Sequence, residues 1–194
     1  NIIKNMKRLY STLFFFLLFL FTFSQTTKKI DLKKSNIEWL GKKVGGEHFG
    51  IIQLESGEIT FSKENKITGG EFIVDMSTIE CTDLSGRGKQ SIESHLKDED
   101  FFDVNNYPTS KFKINSSDEK KIYGTITIKN TSEPIEFGYK LQSRGGQYIV
   151  FSEIKIDRTK FDISYKSKTI FPDQFLDNFI YDEFIIKINP IIFN

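Results

Sequence analysis

The chain of 194 residues carries one cysteine, two histidines, one tryptophan and four prolines. Each scarcity excludes something. A lone thiol, Cys81, cannot close an internal disulfide, so the fold must stand on its own apolar core. Cys81 is also too far from the N-terminal segment to carry a lipid there, and it reads as a small buried apolar residue, not a nucleophile. The two histidines, His48 and His95, are 47 positions apart, so the short-range His or Cys pairing of a zinc site is missing. "KDEDFFDV" gathers Asp98, Glu99, Asp100 and Asp103, but without the glycine and closing glutamate of an EF-hand loop; these acids read as facing water. "SGRGK" at 85–89 lacks the strand-loop-helix setting of a phosphate loop. No G-x-S-x-G elbow occurs. A small-molecule enzyme would have to be built on His48, with Asp75, Ser77 or Asp83 brought to a histidine by the fold. The expectation is therefore no catalytic residue, no metal, no cofactor and no enzymatic activity.

Long apolar runs are also missing after residue 24, and with them any stable membrane span in that part of the chain. Before it, "MKRLYSTLFFFLLFLFTFSQ" has the layout of a secretory signal peptide. Lys7 and Arg8 form the positive region, Leu13 to Phe23 the apolar region, and Ser24 and Gln25 the small-residue exit. The run is shorter than the ~20 residues of a transmembrane helix. Residues 1–24 are expected to be an N-terminal extension and signal peptide, 25–194 one domain, and the location periplasmic or secreted. Cleavage after Ser24 removes Lys4, Lys7 and Arg8 and no acid, leaving 24 basic against 26 acidic residues. That balance gives no electrostatic attraction to nucleic acid.

What is present is alternation. After residue 30 apolar residues recur at every second position, the mark of half-buried strands. Ile37, Trp39 and Gly41 share a face, as do Phe72, Val74 and Met76, and Ile122, Gly124, Ile126 and Ile128. Phe112 with Ile114, Ile135 with Phe137, Ile154 with Ile156, and Phe184 with Ile186 and Ile188 continue the pattern. Short polar connections are expected at "ESGE", "NTSEP" and "SRGGQ". Sequential hairpins of this kind predict an all-β protein, an extended antiparallel eight-stranded barrel that closes its own edges. One stretch departs from the rhythm: Ile92 and Leu96 predict a short helix over 89–97, leading into the loop "DEDFFDVNNYP" across one end of the barrel. "KTIFPDQFLDNFIYD" reads as a loop or short helix at a rim.

The aromatic content is unusual for so plain a pattern. Fourteen phenylalanines remain after the signal's six are set aside, and many fall on the apolar parity. An eight-stranded barrel can fill its interior or hold one ligand. Small residues on the lined face, Gly41 and Gly124, would leave room for a slender apolar guest.

An ordered set of segments carries a resemblance: "SNIEWLGKKVGGEHFG" (35–50), "GGEFIVDMSTIECTD" (69–83), "HLKDEDFFDVNNYPTSKF" (95–112), "GTITIKN" (124–130), "IDRTKFDISY" (156–165) and "DEF" (182–184). Together they resemble the YceI-like proteins, secreted or periplasmic lipocalin-like barrels associated with polyisoprenoid binding. One departure is Asn130, where the family usually has a glycine. The resemblance implies a long apolar tunnel and a ligand with an isoprenoid or similar lipid tail, such as a quinone precursor. Positions that satisfy both the resemblance and the parity are Trp39, Phe72, Met76, Phe102, Phe112, Ile126, Phe137, Ile156, Phe161 and Phe184. His48, Asp157 and Arg158 also match, the last two read as strand-end hydrogen bonding or a salt bridge. The expected partner is a long-chain isoprenoid or other lipid, and a homodimer is compatible with it. The rival readings are a secreted interaction or stress-response module with a filled barrel, and the His48 enzyme.

Overall fold

The computed structural model describes residues 25–173 and 178–194. The segment read as a signal peptide lies outside the described residues. Nine strands form one antiparallel sheet: β1 (Thr26–Lys29), β2 (Ile37–Lys43), β3 (Gly46–Phe61), β4 (Ile67–Cys81), β5 (Thr109–Ser117), β6 (Lys121–Ile128), β7 (Thr131–Arg144), β8 (Gln147–Asp157) and β9 (Glu183–Phe193). From β2 to β9 each strand pairs with the next in sequence, and β9 pairs back to β2. The result is the expected closed, eight-stranded up-and-down barrel, with no free edge among these ladders. β1 is an addition. It takes over beside β3 where β2 ends, pairing Thr26–Lys29 with Phe61–Glu58, and Ile30 bridges to Phe193 of β9.

Period-two burial explains why these segments become wall. β7 alternates half-buried and exposed residues along most of its length, and β2 buries Ile37 and Trp39. Cross-strand rows then bring the apolar faces together. Ile154, Ile186, Trp39 and Gly50 lie in one row across four strands, and Phe72, Phe112 and Ile126 in another.

Three expectations about boundaries are corrected. "ESGE" is not a turn: it lies inside β3, where register shifts between Leu54 and Ser56 absorb its irregular residues. "NTSEP" is mostly strand, the turn being Lys129–Asn130, so Pro134 sits within β7. It is tolerated because β7 meets β8 only from Tyr139↔Ser152 onward; the residues around Pro134 have a ladder to β6 alone. The last strand does not stop at Ile188 but continues past Pro190 to Phe193.

The helix, α1 (Gly86–Lys97), begins three residues sooner than expected and packs on β4. Its inward residues are Leu96, buried, and Ile92, half-buried. Polar contacts fix its pose: Glu93 accepts the Cys81 backbone N–H at 2.9 Å, and Lys89 pairs with Glu80. The following loop folds back through Phe102 N–H to the Leu96 carbonyl at 3.2 Å and Val104 N–H to the Lys97 carbonyl at 3.0 Å. Phe101, Phe102 and Val104 are thereby buried over one end of the barrel. The other end is closed by Phe61 stacked on Tyr148 at 4.1 Å, with Ile67 and Phe193 also buried. No helix among the described residues is long and apolar enough to cross a membrane.

Candidate functional site: an apolar chamber in the barrel

Between the two ends lies a cavity of about 190 Å³. It exceeds the roughly 150 Å³ of an apolar cavity known to stay dry and take up benzene. All eight barrel strands line it. At the far end stand Phe72, Ile114, Val150 and Phe193; at the middle Trp39, Ile126, Phe137 and Ile186; at the helix end Leu96, Phe102, Ile156 and Phe184. Aromatic rings make much of this wall. Phe112 is 5.4 Å from Phe137 and 6.2 Å from Phe72, and Phe102 meets Phe184 edge-on at 6.2 Å.

Few polar groups reach the chamber. Trp39 presents carbon, because its indole N–H is shared between the carbonyls of Ile51 and Glu80, each at 3.2 Å. That pose needs Gly50 directly across the ladder: a Cβ there would lie 1.8 Å from the Glu80 carbonyl oxygen and 2.8 Å from the indole ring. Ser110 and Arg158 are buried on the wall, and Tyr181, half-exposed, borders it.

Of the ten positions named from sequence, nine line this cavity: Trp39, Phe72, Met76, Phe102, Phe112, Ile126, Phe137, Ile156 and Phe184. Phe161 is buried but off the wall, since it belongs to a 3-10 turn, Arg158–Phe161, where strand parity no longer applies. Sequence reasoning missed Phe101, Leu96, Phe193, Ser110 and Arg158 as lining residues. For Phe193 the signal was available in "IIF" after Pro190. Ser110 continues the parity of Phe112 and Ile114, Arg158 that of Ile154 and Ile156, and Leu96 the helical spacing from Ile92; a choice of apolar strand positions passed over all three. The two small residues also part company. A Cβ on Gly41 would meet nothing within 4 Å, and Gly41 lines the cavity. A Cβ on Gly124 would lie 2.5 Å from both the Lys113 carbonyl oxygen and the Phe112 ring. The room expected above Gly124 is already filled by Phe112.

The charged groups matched at the strand ends have structural partners. Arg158 is 1% exposed; its guanidinium donates to the carbonyls of Tyr181, Ile163 and Ile180 and to Asp182 Oδ1. Burial pulls its pKa down, opposed by Asp182 and Asp157. Asp157 caps the 3-10 turn by accepting the Thr159 N–H at 3.0 Å.

His48 lies outside the chamber wall. Its Nδ1 is 2.8 Å from Asp83 Oδ2, while Asp83 Oδ1 accepts the Phe49 N–H at 3.0 Å and the Cys81 thiol at 3.1 Å. Burial alone would raise the Asp83 carboxyl, but hydrogen bonds from His48, Phe49 and Cys81 outweigh it and hold it at about 2. Burial and the same carboxylate push the Cys81 thiol up. The carboxylate thus stands between thiol and imidazole, and the fully buried Cys81 is held as a protonated donor. This arrangement ties the start of β3 to the end of β4; it does not activate a nucleophile. Among the described residues no three His, Cys, Asp or Glu side chains group as metal ligands would.

Fold and interior together define a class: a small closed antiparallel barrel enclosing one apolar chamber. The YceI-like domain matches residues 29–190, and the chain belongs to that family. Among solved structures it is similar to BcnA of Burkholderia cenocepacia, with 18% identity and a TM-score of 0.66 over 84% of this chain and 98% of that one. It is also similar to the YCEI protein of Campylobacter jejuni, at 20% identity and a TM-score of 0.44 over 59% of this chain and 68% of that one, a match too loose to argue from. At 18% identity the first match shows the fold alone. No curated protein sequence matches this chain.

Proposed function

We propose that this protein binds a polyisoprenoid or similar long-chain apolar lipid in the barrel interior, and carries or stores it outside the cytoplasm. The observation that carries the reading is the chamber: apolar side chains from all eight barrel strands leave about 190 Å³ open, running from Phe193 to Phe102. Hydrocarbon transferred from water into such a space gains about 0.8 kcal/mol per methylene, less the cost of ordering a flexible chain. Binding of this kind is sensitive to the length and width of the tail. The family supports the same reading, and the signal-like N-terminal segment supports a location outside the cytoplasm. Organic extraction of the purified full chain, followed by mass spectrometry, tests it. Co-purifying lipid in near-stoichiometric amount is expected; a barrel that yields no lipid and takes up no added prenyl chain refutes the carrier role.

A further inference from the structure

The large apolar side chains left in solvent are not scattered over the barrel. Among the described residues they are Leu32, Val44, Phe49, Ile170 and Tyr181, exposed by 37% to 50%. Four of these belong to the end covered by α1. Val44 lies in the turn from β2 to β3, Phe49 is the fourth residue of β3, and Ile170 and Tyr181 belong to the connection from β8 to β9. Leu32 lies elsewhere, in the connection from β1 to β2. Backbone bonds stitch the platform together: the Val44 N–H donates to the Phe179 carbonyl at 3.1 Å, the Tyr181 N–H to the Lys42 carbonyl at 2.9 Å, and the Ile180 N–H to the Lys166 carbonyl at 2.9 Å. The chamber reaches the surface here, since Tyr181 lines it and is half exposed. Charge around this platform is lopsided. Among the described residues of 40–49 and 159–182 stand Lys42, Lys43, Lys160, Lys166 and Lys168, all but Lys166 exposed. Glu47, Asp162, Asp173 and Asp182 oppose them, and Asp182 is engaged with Arg158. Residues 25–194 carry 24 basic against 26 acidic residues, so the excess of lysine is local to this end.

Resting on the lipid-binding reading above, we propose that this end of the barrel docks on an anionic lipid bilayer, from which a tail enters the chamber beside Tyr181. Apolar side chains standing among lysines match the layers of a membrane interface: the apolar groups enter the headgroup boundary while the ammonium groups meet lipid phosphates. A tyrosine suits that depth, with an apolar ring and a wet hydroxyl. A second copy docked face to face would set the same lysines against one another, whereas an anionic bilayer attracts each of them. Docking here also places the mouth against the reservoir, so a tail passes from bilayer to chamber without crossing water.

The test labels the full chain with an environment-sensitive dye through Ile170→Cys or, separately, Leu32→Cys; Cys81 is fully buried and does not compete. Vesicles of phosphatidylcholine and phosphatidylglycerol mixed evenly are then added. The dye on Ile170→Cys should shift to the blue and the dye on Leu32→Cys should not, which separates docking of this face from anchoring by any other part of the chain. Lys43→Gln combined with Lys168→Gln should raise the lipid concentration at half-response on the order of 25-fold, about five-fold for each lysine. Val44→Ser should weaken docking several-fold and leave retention of farnesol unchanged, because Val44 is off the chamber wall. No response from Ile170→Cys, equal responses from the two dyes, an equal response to phosphatidylcholine alone, or a half-response unmoved by the lysine pair overturns the docking face. A shift that appears with rising protein concentration and no vesicles assigns the face to a second copy and overturns it as well. Native mass spectrometry of the same protein with farnesol judges the carrier reading separately: farnesol retained without docking leaves that reading standing, and docking with no farnesol retained overturns the carrier reading alone.

Discussion

Gly41→Leu separates an open chamber from a filled one. Gly41 is part of the wall, and nothing lies within 4 Å of a Cβ built on it. It sits in β2 opposite His48, and its backbone is not in the left-handed region, so a larger residue is not strained there. Burying a leucine side chain contributes about 2 kcal/mol, and replacing a strand glycine adds a few tenths more. At roughly 2–4 °C per kcal/mol for a domain of this size, the ligand-free variant should melt about 5 °C higher than the parent. The same side chain takes space from the guest. Displacing three or four methylenes at about 0.8 kcal/mol each costs about 3 kcal/mol, or on the order of 100-fold in affinity. Calorimetry of the extracted protein and native mass spectrometry with added prenyl alcohol read the two effects. Opposite signs, more stable and less lipid, are the signature of an open cavity. A variant that is no more stable and retains as much lipid would mean that Gly41 borders no usable space, and the reasoning fails.

Gly124→Ala should behave in the contrary way, losing about 1–3 kcal/mol in denaturant unfolding because its Cβ meets the Lys113 carbonyl at 2.5 Å; unchanged stability would mean that β5 and β6 yield more easily than their register implies. Gly50→Ala should cost about 3 kcal/mol or more, since its Cβ would lie 1.8 Å from the Glu80 carbonyl and the Trp39 indole would have to move; a neutral result contradicts that packing. The Asp83 carboxyl is held at about 2 against an ordinary 3.8, so it adds about 2 kcal/mol that is present above pH 4 and lost as pH falls toward 2. Asp83→Asn should therefore lower stability at neutral pH and flatten its acid limb in urea unfolding; a limb as steep as the parent's refutes the assignment.

Much of the wall was legible because strand parity and cavity face are the same fact. Trp39, Phe72, Met76 and Ile156 were readable as lining residues from the family resemblance and strand parity taken together. Parity fails where the backbone leaves the pleat. Phe161 keeps its apolar character in a 3-10 turn but points elsewhere, and "ESGE" looks like a turn by composition yet continues as bulged strand in β3. Pro134 could not be placed from sequence, because what licenses it is a partner strand that diverges. Arg158 was readable as a hydrogen-bonding residue, but which groups it takes was not: three of its partners, the carbonyls of Tyr181 and Ile180 and the Asp182 carboxylate, come from a segment 22 to 24 positions away.

The single tryptophan has a practical consequence. Trp39 is 8% exposed and stands on the chamber wall, and the chain has no second indole to blur its signal. Excited near 295 nm, this protein has one emitter, placed where a guest would alter its polarity and quenching. Occupancy can thus be followed in solution with no label, and the kinetics of filling and release are open to a stopped-flow fluorimeter.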